Sequence, residues 1–206
     1  MTESPWPTIH AERKALADDL TGVADGAWTT PSLCAGWTVH QMLAHQVATA
    51  KMTPPTFLAK FAASGFSFAK MADKAIAAEG AGGPAATLGA YRAVETATSS
   101  PPGPKLSWLG EALVHAEDIR RPLGIAHAYP LDWVTTAAKF YAGSNAIIGG
   151  KKRVAGLTLK ATDTDWSHGS GPLVEGPAMS LLMATAGRKA ALDDLTGPGV
   201  DALRSR

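Results

Sequence analysis

The stretch LSWLGEALVHAEDIRRPLG, residues 106–124, decides how this chain is read. It forms one predicted helix from Leu106 to Arg121, closed by Pro122 and Gly124. Within it Glu111 and His115 stand four residues apart, which stacks their side chains on one helix face a single turn apart. A carboxylate oxygen and a neutral imidazole nitrogen converging from one helix suit a divalent metal such as zinc, nickel, iron or manganese. The commoner reading of this spacing is a solvated or hydrogen-bonded pair. The pattern also differs from HExxH, in which the glutamate is a base between two histidine ligands.

A third imidazole from another helix would complete a site with open positions, and His45 is the best candidate. It lies within a helix predicted to start after an N-cap at Thr38 and to carry Val39, Met42, Leu43, Gln46 and Val47 as a stripe, ending near Pro54-Pro55. His40 is five residues earlier, roughly 140° around that helix at 100° per residue, and reads as a surface or capping residue. Gln41, four before His45, shares its face and could orient a ligand or a bound water.

Other helices are expected over residues 8–23, 56–79, 86–98, 130–148 and from Pro177 onward, with possible breaks at Gly65 and Gly187. Residues 25–37 read as a structured loop anchored by Trp28 and Trp37. The segment 154–162 alternates as a strand does, and Gly169, Gly171 and Pro172 punctuate a hairpin into Leu173 and Val174. The fold class is therefore mainly α, a helical bundle over residues 1–150 with a small strand-and-helix unit over 151–206.

With 206 residues the chain can bury a real core, and 19 basic against 18 acidic side chains, net +1, give no bulk attraction to nucleic acid or an anionic membrane. The expected partner is a small molecule. Apolar runs are all interrupted, so no membrane span is predicted. The sole cysteine, Cys34, excludes an internal disulfide and reads as a buried apolar residue. The start, MTESPWPTIH, lacks signal-peptide character, and a cytoplasmic protein is expected, monomer or homodimer.

The segments PSLCAGWTVHQMLAH (31–45) and GEALVHAEDIRRPLG (110–124) together resemble the actinobacterial mycothiol-dependent maleylpyruvate isomerase family, within the DinB-like four-helix-bundle superfamily. ATDTDWSHGSGP (161–172) and Gly187-Arg188 look like its carboxyl-terminal extension. The resemblance implies a divalent metal, zinc first, held by His45, Glu111 and His115. It also implies mycothiol as thiol cosubstrate and a small electrophilic substrate, in an isomerase or S-transferase reaction. Arg188 is the nearest counterpart of a catalytic arginine in the family's carboxyl-terminal domain, with helix-end charge pairing as the alternative. Arg120 or Arg121 could grip a carboxylate of substrate or thiol bidentately. Asp118 follows the Glu111–His115 face, yet the nearby arginines favour a structural pairing for it. A metal-dependent hydrolase and a non-catalytic ligand-binding module are the other functional readings of such a site.

Overall fold

The computed structural model describes residues 4–146 and 148–206. These are mainly helical with one small sheet, and they cluster into two compact units. The first runs up to Pro104 and includes His115–Ala126; the second comprises Lys105–Val114 and His127–Arg206. Helix α6 (Lys105–Arg120) contributes to both.

In the first unit, α1 (Trp6–Asp19), α2 (Val39–Lys51), α4 (Phe68–Gly80) and α5 (Gly83–Arg92) pack as a bundle. Helix α2 is its centre because it is apolar on most of its faces: Val39, Met42, Leu43, Ala44, Val47 and Ala50 are all buried. Leu16, Leu20, Tyr91 and Ile119 close around them. Each such aliphatic side chain contributes roughly 1.5–3 kcal/mol by leaving water. The start of α2 is held by a capping box: the Thr38 hydroxyl accepts from the Gln41 backbone N–H, and Gln41 Oε1 accepts from Thr38 N–H at 2.9 Å. The loop before it contains a 3-10 turn, Asp25–Thr29, and a bridge pairing Pro31 with Thr38.

The helix expected over 56–79 is two helices, α3 (Pro54–Ala63) and α4. Gly65 and Phe66 both take positive φ, 64° and 57°, which no helix tolerates, and the Ser67 hydroxyl then caps α4. Helix α5 ends at Arg92, short of the expected Thr98, because Arg13 intervenes. Its Nη1 donates to the carbonyls of Val94 and Ala97, at 3.2 and 2.8 Å, and fixes a non-helical turn.

The second unit holds α7 (Leu131–Gly143), α8 (Gly150–Val154), the strands β1 (Thr158–Ala161), β2 (Ser167–Gly169) and β3 (Leu173–Gly176), α9 (Ala178–Thr185), a 3-10 turn (Lys189–Asp194) and α10 (Val200–Arg204). Helix α7 stops earlier than the expected Ile148, and residue 147 of that expectation lies outside the described residues. It packs on α9 and so groups with the carboxyl-terminal elements, unlike the division read at residue 150. Helix α9 is buried at every residue, its two polar side chains Ser180 and Thr185 being hydrogen-bonded to Asp194 and to the Leu181 carbonyl. The sheet order is β2-β1-β3. The hairpin joins β1 to β2, and β3 pairs with the other edge of β1 in parallel, not as the hairpin partner that the Gly/Pro punctuation suggested. That register sets Leu159 beside Val174, both buried, on strands that α9 packs against.

Candidate metal centre

Helix phase and capping place the three expected ligands. The capping box fixes where α2 begins, and His45 then falls at its middle, half-buried. Its ring packs against Trp37, centroids 4.9 Å apart, so the tryptophan of the preceding loop holds the imidazole in place. The sequence reading had given Trp37 only an anchoring task. The His45 and His115 rings meet edge to face at 5.2 Å. Glu111 lies one turn before His115 on α6, as the i, i+4 spacing requires.

Each of His45, Glu111 and His115 offers one ligand atom, and these atoms all lie within 4.8 Å of one another. Two nitrogens and one carboxylate oxygen match the donor sets of mononuclear zinc sites, which bind at about 2.0–2.2 Å and keep a further position open. The residues therefore fit a divalent metal.

His115 is oriented from behind. Its Nδ1 lies 2.8 Å from Oδ2 of Asp118, whose side chain is fully buried. A carboxylate accepts from Nδ1–H and thereby presents Nε2 as the lone-pair nitrogen. Asp118 thus meets the histidine whose face it shares, the orienting contact that the sequence reading had set behind a structural pairing. Nearby, the Tyr141 phenol is held protonated, first by burial and then by the negative charge of Glu111, with Arg188 acting in the opposite sense. Glu111 and Arg188 consequently act electrostatically on one hydroxyl, which also donates to the Ser107 carbonyl at 3.3 Å.

Arg188 is set by the end of α9. Gly187 takes φ 91°, and the N–H groups of Gly187 and Arg188 return to the carbonyls of Ala184 and Met183, a closure that needs a residue at ease with positive φ. Arg188 itself is half-buried, with Nη1 donating to Ala186 O at 3.1 Å.

Other expected site residues have different work. Gln41 is exposed and its Oε1 is engaged in the capping box, so it serves the helix start instead of orienting a ligand. Arg120 is completely buried, with Nε 2.7 Å from Asp19 and Nη1 3.7 Å from Glu12. It neutralises two carboxylates of α1 and is not presented to a cosubstrate. Arg121 pairs with Glu117 at 2.6 Å, the i, i+4 geometry of a helix pair. His40 is neither a surface nor a capping residue: its Nε2 meets Thr87 Oγ1 at 2.9 Å, linking α2 to α5, and burial lowers its pKa. Cys34 is half-buried against the first unit's core.

The sequence model of one family, described as the mycothiol maleylpyruvate isomerase N-terminal domain, matches residues 9–120. No curated protein matches the chain. Two solved structures are similar over 94% of this chain and 91% of their own. One is a histidine-to-alanine mutant of the mycothiol-dependent maleylpyruvate isomerase, with TM-score 0.62 and 16% identity. The other is the mycothiol-dependent maleylpyruvate isomerase, with TM-score 0.57 and 13% identity. At such identities the structures establish a shared fold, and the match over residues 9–120 establishes kinship: the chain belongs to the family defined by the mycothiol maleylpyruvate isomerase N-terminal domain.

Proposed function

We propose that this chain is a mycothiol-dependent enzyme that uses one divalent metal, zinc by its donor set, to isomerise a small conjugated acid of the maleylpyruvate kind. The observation that carries the reading is the convergence of His45, Glu111 and His115 in a chain of this family. A divalent ion with an open position supplies a Lewis acid that lowers a thiol's pKa and so provides a thiolate at neutral pH. His45 and His115 bring neutral imidazoles, and Glu111 brings one negative charge. Asp118 holds His115 in the tautomer that leaves Nε2 available. Trp37 covers one side of His45. Arg188 supplies a guanidinium suited to a substrate carboxylate, a role supported by its action on the same tyrosine that Glu111 influences. In the overall reaction the thiol sulfur adds to the double bond, the resulting single bond rotates, and the thiol leaves with the trans product. The protein acts in the cytoplasm of a cell that makes mycothiol.

The test begins with elemental analysis of wild type, His45→Ala and Glu111→Ala. One metal per wild-type chain and its loss from both variants is the expected result; stoichiometric metal in both variants overturns the ligand set. Adding mycothiol to cobalt-substituted protein should shift the visible spectrum. An unchanged spectrum, or hydrolysis of amides or esters without added thiol, overturns the thiol-dependent reading in favour of a hydrolase. Cis–trans conversion of maleylpyruvate, followed with and without mycothiol, then separates isomerase from S-transferase.

A further inference from the structure

A second concentration of charge lies wholly within the carboxyl-terminal unit, and of its cations the proposed reaction uses only Arg188. A pocket of about 80 Å³ is lined by Arg153, Arg188, Lys189 and Arg206, with Gly187 and Leu203 among its other walls. At roughly 10–15 Å³ for one water, it has room for several waters or for an anion the size of phosphate.

The cations around it are built in place. Arg153 Nη1 donates to the carbonyls of Thr185 at 2.6 Å and Ile148 at 3.2 Å. Arg206 Nη1 donates to the carbonyls of Arg153 and Ala155, each at 2.8 Å. Gly187 lies against the Arg153 guanidinium so closely that a Cβ there would sit 3.1 Å from Cζ. These anchors use only Nη1 of each arginine, so among the described residues Nε and Nη2 of Arg153 and Arg206 remain as donors on the pocket both line.

Among the described residues, moreover, no carboxylate stands within ion-pair distance of Arg153, Lys189 or Arg206. Burial lowers the pKa of Arg153, and the positive charge of Arg188 lowers it further. Like charges gathered around one pocket repel, and an anion among them relieves that repulsion.

We infer that this pocket is a binding site for a small tetrahedral oxyanion, a phosphate ion or the phosphate group of a monoester, held by Arg153, Lys189 and Arg206. Three cationic residues around one small pocket suit an anion with oxygens in several directions better than a planar carboxylate. Guanidinium forks supply directed donors, and Lys189 adds a point charge at the exposed mouth.

Calorimetric titration at constant ionic strength tests the inference with three probes: inorganic phosphate, phenyl phosphate and acetate. Wild type should bind one phosphate saturably, and Lys189→Gln combined with Arg206→Gln should weaken it at least tenfold while circular dichroism stays native. Tighter binding of phenyl phosphate supports a monoester as the ligand, and tighter binding of inorganic phosphate supports the free ion. Lys189→Gln alone, at an exposed position, should still weaken binding several-fold if the double variant does not fold. No saturable phosphate binding, equal affinity in wild type and in a folded variant, or acetate bound as tightly as phosphate overturns the site. Metal content is independent of this titration, so failure here leaves the proposed function standing, and the converse holds too.

Discussion

Replacing Asp118 separates a carboxylate that merely fills the core from one that tunes a ligand. Its Oδ2 lies 2.8 Å from His115 Nδ1, its own side chain is fully buried, and that of His115 is 15% exposed. A hydrogen bond to a charged group at such a site contributes about 1.5–3 kcal/mol. At about 1.4 kcal/mol per tenfold, that corresponds to roughly 10–100-fold in metal affinity, the range seen when the partner behind a metal-bound histidine is lost. Asp118→Asn keeps the shape and an acceptor oxygen but removes the charge, so it should weaken metal binding about tenfold. Asp118→Ala removes the acceptor as well and should approach a hundredfold. Competition against a chromogenic chelator measures both, and denaturant unfolding of the metal-free variants shows that the fold persists. If both variants bind metal within a factor of two of wild type, the orienting role of Asp118 is wrong.

Four further outcomes follow from the packing. Gly110 on α6 lies so close to the Tyr141 ring that Gly110→Ala overpacks the contact; despite the helix-favouring methyl, a net loss of about 1–2 kcal/mol is expected in urea unfolding. A Tyr141→Leu background should recover most of it. Arg120→Met leaves Asp19 and Glu12 without their buried cation and should cost about 3–5 kcal/mol, with metal stoichiometry unchanged in whatever protein remains folded. Thr38→Ala breaks the capping box of α2 and should cost about 1 kcal/mol, a melting-point drop of roughly 2–4 °C by calorimetry. Burial holds the pKa of His40 below the usual imidazole value, so the unfolded chain binds its proton first; the stability His40 confers is complete above about pH 6.5 and declines as pH falls through that value toward the folded pKa. His40→Gln should flatten that part of the stability–pH curve, and an unchanged slope would show that other groups set it.

The sequence by itself determined whatever depends on neighbours along the chain. The start of α2 after Thr38 was legible because a capping residue acts within one turn, and the shared face of Glu111 and His115 followed from helical period alone. Helix phase showed that His45 and His40 cannot face one ion, the family motif chose between them, and the break at Gly187 was readable because the closing turn is local. Only the tertiary structure decided what depends on groups far apart in sequence. Arg120 was drawn inward to two carboxylates of a helix a hundred residues away, which no local pattern encodes, whereas the i, i+3 spacing of His115 and Asp118 already allowed the contact that the structure forms. Arg13 likewise ended α5 from another helix. The parallel pairing of β3 with β1, which sets buried Leu159 beside buried Val174 although β2 intervenes in the chain, is also a tertiary choice that the turn residues do not encode. The approach of His45 to Glu111 and His115 belongs to both accounts: period chose the faces, and packing brought them together.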